Sequence, residues 1–184
     1  KQSEFLEFAQ GKLDFISGLD NSYKDEIITT QGKLQEKYKD RVNLITTPYL
    51  NTEYLGFFME TETPEINSKK LRQAVNYGFD RQKMVTYLRN GMGTPATHGF
   101  IPKGLPGFAS IEGYDYNPEK ARELIEQYKT NTGDTEAEIT IGTNSQYLDI
   151  CEYIQRELEK IGIAVEIDVM PPSTLRQMKS SGEL

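Results

Sequence analysis

The sequence predicts an α/β fold, a mixed sheet with flanking helices that ends in a βαβ unit, and three observations predict it. Two short segments, Glu138–Ile141 and Ile163–Val169, alternate polar with apolar residues as half-buried strands do. A helical pattern, Tyr147–Lys160, lies between them and is followed by Gly162. A strand, a crossover helix and a second strand at this spacing predict parallel pairing.

Length and composition bound the function. The chain has 184 residues, enough for one domain with its own core, and its net charge is −7. An acidic chain without a basic stripe is not expected to bind nucleic acid. No apolar run approaches the roughly 20 residues needed to span a membrane, so stable membrane insertion is not expected. One cysteine, Cys151, and one histidine, His98, predict no internal disulfide and no His/Cys metal site. No cofactor is expected.

The N-terminal quarter predicts short elements. Glu4–Gln10 is predicted to be a helix, and Leu13–Ile16 a short strand after Gly11. Ser22–Lys39 has a weak helical stripe that Gly32 divides. The β-branched composition of Val42–Thr47 predicts another strand.

The segment from Pro48 to Met59 predicts a connector followed by a strand. Gly56 within that strand indicates either a close backbone approach or a packing accident, and the sequence favours neither. The alternation assigns two sets of positions to opposite faces, with Tyr54, Gly56 and Phe58 on one and Leu55 and Phe57 on the other.

The next two helices are predicted from their caps and apolar faces. Ser68 and Asp80 are suitable N-caps, because their side-chain oxygens accept from free amides of the first turn. Gly91 is a helix stop after the second helix. The apolar positions of the two helices recur at helical spacing: Leu71, Ala74, Val75, Gly78 and Phe79, then Met84, Val85 and Leu88.

A loop dense in Gly and Pro then runs from Gly91 to Gly107 and contains His98. Such a loop is long for a compact domain, and long ordered loops are often functional. After it, Asn117 and Pro118 predict the cap and first position of another helix.

The tripeptide Asn144-Ser145-Gln146 follows the first strand of the βαβ unit, at its carboxyl end. Ligands in open α/β sheets favour that edge. The same residues are also suited to cap the following helix, and the two roles are compatible. Within that helix, Cys151 aligns with apolar positions, which favours a buried small hydrophobe over a reactive thiol. A final helix is predicted for Ser173–Ser181.

Three motifs in this order resemble one family. LRQAVNYGFDRQKMV, GTPATHGFIPKGLPG and YDYNPEKARELIEQY are similar to the middle of the family 5 extracellular solute-binding proteins, the oligopeptide, dipeptide and nickel receptors of ABC importers. The matching positions are Leu71–Arg81, Gly93–Gly107 and Tyr116–Ala121. The chain departs from the family pattern at Phe58, where an Asn is usual.

The resemblance implies a periplasmic binding protein type II-like lobe. Residues 1–184 are then a single domain, most of one lobe of a two-lobe protein whose other lobe and C-terminal part lie outside this sequence. The implied function is to capture oligopeptides in a cleft between lobes and to deliver them to the membrane permease of an ABC importer, without catalysis. The implied protein is monomeric and extracytoplasmic, either periplasmic or a cell-surface lipoprotein.

The expected ligand-binding residues come from position. They are Asn51 and Tyr54 near the connector, Gly56 on the strand, His98 in the loop, and Asn144 and Gln146 at the sheet edge. Asp80 and Arg81 are assigned instead to capping and to a surface pair that contributes little free energy.

Other functions remain open at this point. Within the resembled family the ligand could be a nickel chelate, haem or an oligosaccharide. A protein-interaction module without transport would carry the exposed aromatic residues as one apolar patch. An enzyme would need a nucleophile, paired acids or a phosphate loop, and the glycines at 91 and 93 lack the spacing of a phosphate loop.

Overall fold

The computed structural model describes residues 2–19 and 21–183, and these divide into two compact units. Unit 1 comprises residues 1–49 and 85–94, and unit 2 comprises residues 50–84 and 95–184. The two helices predicted from Ser68 and Asp80 as N-caps contribute residues to unit 2, and so does the predicted βαβ unit. No helix among the described residues is long and apolar enough to cross a membrane.

Unit 1 is built from short helices and turns. Helix α1 spans Gln2–Ala9 and helix α2 spans Asn21–Ile27. Gly32, at φ +72°, turns the chain so that Ile28 and Leu34 form an antiparallel bridge, and a 3₁₀ turn follows at Glu36–Tyr38. A small apolar core holds the unit together, formed by Phe5, Ile27 and Ile28 with Tyr23 stacked 4.4 Å from the Phe5 ring.

Unit 2 contains the predicted βαβ unit. Strand β1, Ala137–Thr143, pairs in parallel with strand β2, Ile163–Val169, and the helix between them spans Leu148–Glu159. The register places Ala137 opposite Ile163 and Thr143 opposite Val169. This crossover helix is α7 in chain order. Its buried face includes Cys151, whose thiol pKa is raised mainly by that burial, in agreement with the role of a small hydrophobe.

The helices before the sheet follow their caps. After the single turn α3, Pro64–Asn67, helix α4 spans Lys69–Gly78, helix α5 spans Arg81–Leu88 and helix α6 spans Pro118–Thr132. All three predicted N-cap side chains accept a backbone hydrogen bond: Ser68 from the amide of Leu71, Asp80 from Lys83, and Asn117 from Lys120. The last helix, α8, spans Pro172–Ser181.

One apolar core joins α4, α6, α7 and the sheet. Leu71, Ala74 and Val75 of α4 are almost fully buried, and Ala121, Ile125 and Tyr128 of α6 pack in the same cluster with Leu158 of α7 and Ile163 of β2. Burial of this set removes large apolar side chains from water, and it stabilises the fold by about 25 cal/mol per Å² of apolar surface buried. The α/β fold class is therefore confirmed, with its core in unit 2.

Three predicted strands are wrong. Leu13–Ile16, Val42–Thr47 and the segment around Tyr54–Phe58 are irregular in the structure. A strand requires a hydrogen-bonded neighbour, and no described segment pairs with any of the three in a ladder. The alternation in the third segment is still meaningful, since Leu55 and Phe57 pack on the core while Tyr54 is exposed.

Candidate ligand-binding site

The connector and the Gly/Pro loop form one surface in unit 2. The Thr52 hydroxyl donates to the carbonyl oxygen of Phe100 over 2.8 Å. The Tyr54 and Phe100 rings meet edge to face, with centroids 5.1 Å apart. A Cβ on Gly104 would lie 3.1 Å from a methyl group of Leu50, so the loop approaches the connector closely there.

Helix α8 adds a cation to this surface. The Lys179 ammonium lies 5.6 Å from the centroid of the Tyr54 ring, within the range of a cation–π contact. The end of the helix is also held there, because Gly182, at φ +74°, passes the Phe58 ring. We call the set of Tyr54, Phe100 and Lys179, with the backbone of 50–59 that carries the tyrosine, the Tyr54 surface.

The Tyr54 surface is open to solvent. Tyr54 is 62% exposed and Phe100 is 63% exposed, and Ile111, whose side chain lies near Gly99, is 56% exposed. Aromatic side chains that are ordered by ring contacts and still face water are suited to contact a ligand with little loss of conformational entropy.

The backbone that carries these side chains is not paired with other backbone in the described residues. Between residues 50 and 59, no amide or carbonyl forms a backbone–backbone hydrogen bond with any other part of the chain that the structure describes. Each residue there carries one donor and one acceptor that need partners when they are removed from water. An extended ligand, or another segment of protein, could supply them.

His98 lies on the loop close to this surface. Its side chain is exposed, and Nδ1 is 3.4 Å from the carbonyl oxygen of Ile111. Across the described residues, no group of three His, Cys, Asp or Glu side chains is placed to hold a metal ion. His98 is therefore an exposed polar side chain two residues before Phe100 in the loop.

The two remaining predicted residues lie at the carboxyl end of β1. The Asn144 side-chain oxygen accepts from the backbone amide of Gln146 over 2.9 Å, and the Asn144 carbonyl accepts from Tyr147. Asn144 is buried whereas Gln146 is exposed. Asn144 thus shapes the turn that begins α7, although the helix itself starts at Leu148.

The predicted site residues consequently fall into two groups. Asn51, Tyr54, Gly56 and His98 lie on the connector and the loop, and Asn144 and Gln146 lie at the sheet edge. No hydrogen bond or ring contact among the described residues joins the groups. Sequence reasoning missed Phe100 and Lys179. An aromatic residue two positions after His98 in a Gly/Pro loop was a usable signal for the first, whereas Lys179 is distant in sequence and gave none.

Asp80 has the capping role predicted for it, whereas Arg81 does not form the predicted surface pair. Asp80 caps α5, and its carboxylate is 3.9 Å from the Lys83 ammonium. The expected surface pair is wrong, because Arg81 is half-buried, donates to the Asn76 carbonyl over 2.8 Å and lies 4.3 Å from the centroid of the Phe79 ring. Burial lowers the pKa of Arg81, and the charge of Asp115 opposes that shift.

Comparison with known proteins identifies the family. The profile of the bacterial extracellular solute-binding proteins, family 5 (middle part), matches residues 1–184. The glutathione-binding protein GsiB of Pectobacterium atrosepticum is 26% identical over 140 residues, which are 76% of this chain and 26% of GsiB. The chain thus spans about a quarter of the length of this relative.

Solved structures have the same fold. The periplasmic binding protein DppA of Helicobacter pylori, in complex with the peptide STSA, superposes with a TM-score of 0.78 at 20% identity, over 99% of this chain and 33% of DppA. The oligopeptide-binding protein AppA of Bacillus subtilis, in complex with a nonapeptide, gives a TM-score of 0.52 at 27% identity, over 61% of this chain and 25% of AppA.

Proposed function

Because the chain belongs to the family 5 bacterial extracellular solute-binding proteins, we propose that it is the middle part of an ABC-importer receptor that captures peptides. In this proposal residues 1–184 form most of one lobe, and the ligand is enclosed between this lobe and a second one outside the sequence. The complete receptor is a monomer in the periplasm or on the cell surface, and it delivers its ligand to the permease without chemical change.

The observation that carries the peptide assignment is the Tyr54 surface. It combines an irregular backbone segment, 50–59, without backbone partners in the described chain and two exposed aromatic rings. An extended peptide pairs its own backbone with such a segment, and side-chain tolerance follows because main-chain hydrogen bonds supply the affinity. Two similar proteins support a ligand of this class. GsiB is named as a glutathione-binding protein, and AppA was solved in complex with a nonapeptide.

Each candidate residue has a role in this proposal. Tyr54 stacks on an apolar ligand side chain, and Gly56 lets the ligand backbone approach because it carries no Cβ. Asn51 offers a polar contact from the connector, and His98 offers one from the loop. Asn144 and Gln146 are proposed to contact the ligand from the sheet edge, with Gln146 the more accessible of the two.

The test is a binding measurement on a complete receptor, as long as the relatives, that contains this chain. Peptides of two to nine residues are titrated by calorimetry into the unaltered receptor and into Tyr54→Ala. Loss of an aromatic contact at the centre of a binding surface is expected to weaken binding by about tenfold, since each factor of ten corresponds to about 1.4 kcal/mol.

The control is Tyr116→Ala. Tyr116 is an exposed tyrosine of the same compact unit, and it is not part of the Tyr54 surface. Its replacement is expected to change affinity by less than twofold. Equal effects of the two substitutions, or no peptide binding by the unaltered receptor, would contradict the proposal.

The isolated 184-residue chain is expected to bind peptides weakly or not at all, because it presents only one side of the enclosed cleft. Closure of two lobes removes the ligand from water on both sides, and one lobe lacks the contacts of the other. A micromolar or tighter peptide affinity of the isolated chain would show that a single lobe suffices.

A further inference from the structure

A second concave site lies on helix α4, apart from the Tyr54 surface. It is an open cleft of about 230 Å³. Four of its lining residues follow one stripe of the helix, at spacings of three, one and three. They are Lys69, Arg72, Gln73 and Asn76, with Phe57 and Tyr114 on the flanking segments. Phe57 comes from the segment 50–59, but Tyr54, Phe100 and Lys179 do not line the cleft, so it is a second site.

The cleft is positively charged in a chain whose net charge is −7. Lys69 and Arg72 line it, and no carboxylate does. In the part of the chain that the structure describes, neither cation forms an ion pair with an acidic side chain. Arg72 is nevertheless held in place, because its Nη1 donates to the carbonyl oxygen of Ile66. Its remaining N–H groups are left for a ligand.

The polar floor of the cleft is oriented as well. The Asn76 amide nitrogen donates to the Arg72 carbonyl over 2.8 Å, and the Asn76 side-chain oxygen accepts from Arg81 over 3.2 Å. Both polar ends of Asn76 are therefore engaged. The half-buried Gln73 has no hydrogen-bond partner among the described residues, so it can donate to or accept from a bound molecule.

Two rings supply the apolar part of the lining. Tyr114 is fixed by an edge-to-face contact with Tyr77, with centroids 5.0 Å apart. Phe57 is partly buried and packs on the main core. Ordered rings beside two unpaired cations match a ligand with a flat apolar body and a negatively charged group.

We propose that this cleft binds a small organic carboxylate with a planar apolar body, at a site distinct from the peptide site. The carboxylate accepts from Lys69 and Arg72, and the body of the ligand lies against Phe57 and Tyr114. A volume of about 230 Å³ is below the usual 300–1,000 Å³ of pockets for drug-sized ligands, so one small ring acid fits better than a peptide.

The test uses the isotope-labelled 184-residue chain and phenylacetate as the probe, followed by NMR. Millimolar binding is expected, with shifts confined to the amides of Phe57, residues 69–76 and Tyr114. Phenylacetamide has the same ring without the charge, and it is expected to bind at least about fivefold more weakly, because a charge-assisted hydrogen bond is roughly twice as strong as a neutral one.

Matched lysine variants separate a specific contact from net charge. Lys69→Gln is expected to weaken phenylacetate binding by about threefold, the effect of one solvent-exposed charge pair. Lys70→Gln removes the same charge from the next residue, whose ammonium bonds to Gln127 of α6, and it is expected to leave the affinity unchanged within the error.

Three results would overturn the proposal. They are the absence of localised shifts at tens of millimolar phenylacetate, equal binding of phenylacetamide, and equal effects of the two lysine variants. Lys69 is exposed, so its replacement is expected to leave the core unchanged. The amide spectra of both variants show whether the fold is retained.

Discussion

Gly78 is the position at which a single added methyl group tests the packing of the main core. It lies at the end of α4 and is buried against α7. A Cβ built there would be 2.6 Å from the Leu158 Cδ2 atom and 2.6 Å from the Ile161 Cδ1 atom. Both distances are far below van der Waals contact, so Gly78→Ala forces two buried side chains to move.

Two opposing effects set the size of the change. Overpacking in a well-packed core costs about 1–3 kcal/mol. Alanine gains up to about 1 kcal/mol over glycine in a helix, and less at the last helical position. Leu158 is 0% exposed and Ile161 is 5% exposed, so neither tip can swing into solvent. We therefore expect Gly78→Ala to lower the free energy of unfolding by about 1–2 kcal/mol.

The assay is urea unfolding followed by far-ultraviolet circular dichroism, with Ile161→Val as the partner in a double-mutant cycle. Ile161→Val alone removes the clashing Cδ1 atom and costs about 0.5–1.5 kcal/mol. In that background Gly78→Ala is expected to cost less, which gives a favourable coupling energy. Stabilisation of the unaltered chain by Gly78→Ala, or additivity of the two substitutions, would contradict the proposed overpacking.

Two further predictions concern the cap and the buried tyrosine of α6. Asn117→Ala removes the oxygen that accepts from the Lys120 amide over 3.0 Å, and it is expected to lower the free energy of unfolding in urea by about 1 kcal/mol. The control is Asn131→Ala, at an exposed position within the same helix, which is expected to be neutral or slightly stabilising. Equal costs of the two substitutions would contradict the capping role. Burial first, and a hydrogen bond to a carboxylate second, raise the pKa of Tyr128 from 10.0 to about 12. The folded state therefore favours the neutral phenol, and this contribution to stability is full below pH 10 and is lost as the pH rises from 10 towards 12. Burial also raises the pKa of Tyr153, so Tyr128→Phe is expected to reduce the alkaline slope of stability without abolishing it, and an unchanged slope would contradict the assignment.

The parts of the fold that the sequence predicted are those with local causes. Ser68, Asp80 and Asn117 each accept from an amide three residues ahead, and such a bond depends only on neighbours in the chain. The βαβ unit was also predictable, because its strands are separated by one helix and connect with a fixed handedness.

The wrong strands depended on partners elsewhere. The composition of Val42–Thr47 favours a strand, but a ladder forms only where another segment supplies donors and acceptors. Sequence pattern gives the alternation of faces and not the presence of a neighbour. For this reason Leu55 and Phe57 were assigned correctly to one side although the segment that carries them is irregular.

The candidate site was predictable only in outline. Tyr54 and His98 were selected by position, but the contact between Tyr54 and Phe100 joins residues 46 positions apart, and Lys179 is farther still. No periodicity connects such residues, because the irregular loop that brings Phe100 to Tyr54 has no repeating geometry.

The peptide assignment is tested most directly by identifying the ligand that co-purifies with a receptor that contains this chain and is as long as its relatives. The receptor is purified without denaturation, and any co-purified ligand is released and analysed by mass spectrometry. A ladder of mixed peptides is expected, because backbone pairing along 50–59 tolerates different side chains. A single sugar, a metal chelate or an empty cleft would keep the receptor fold and contradict the peptide assignment.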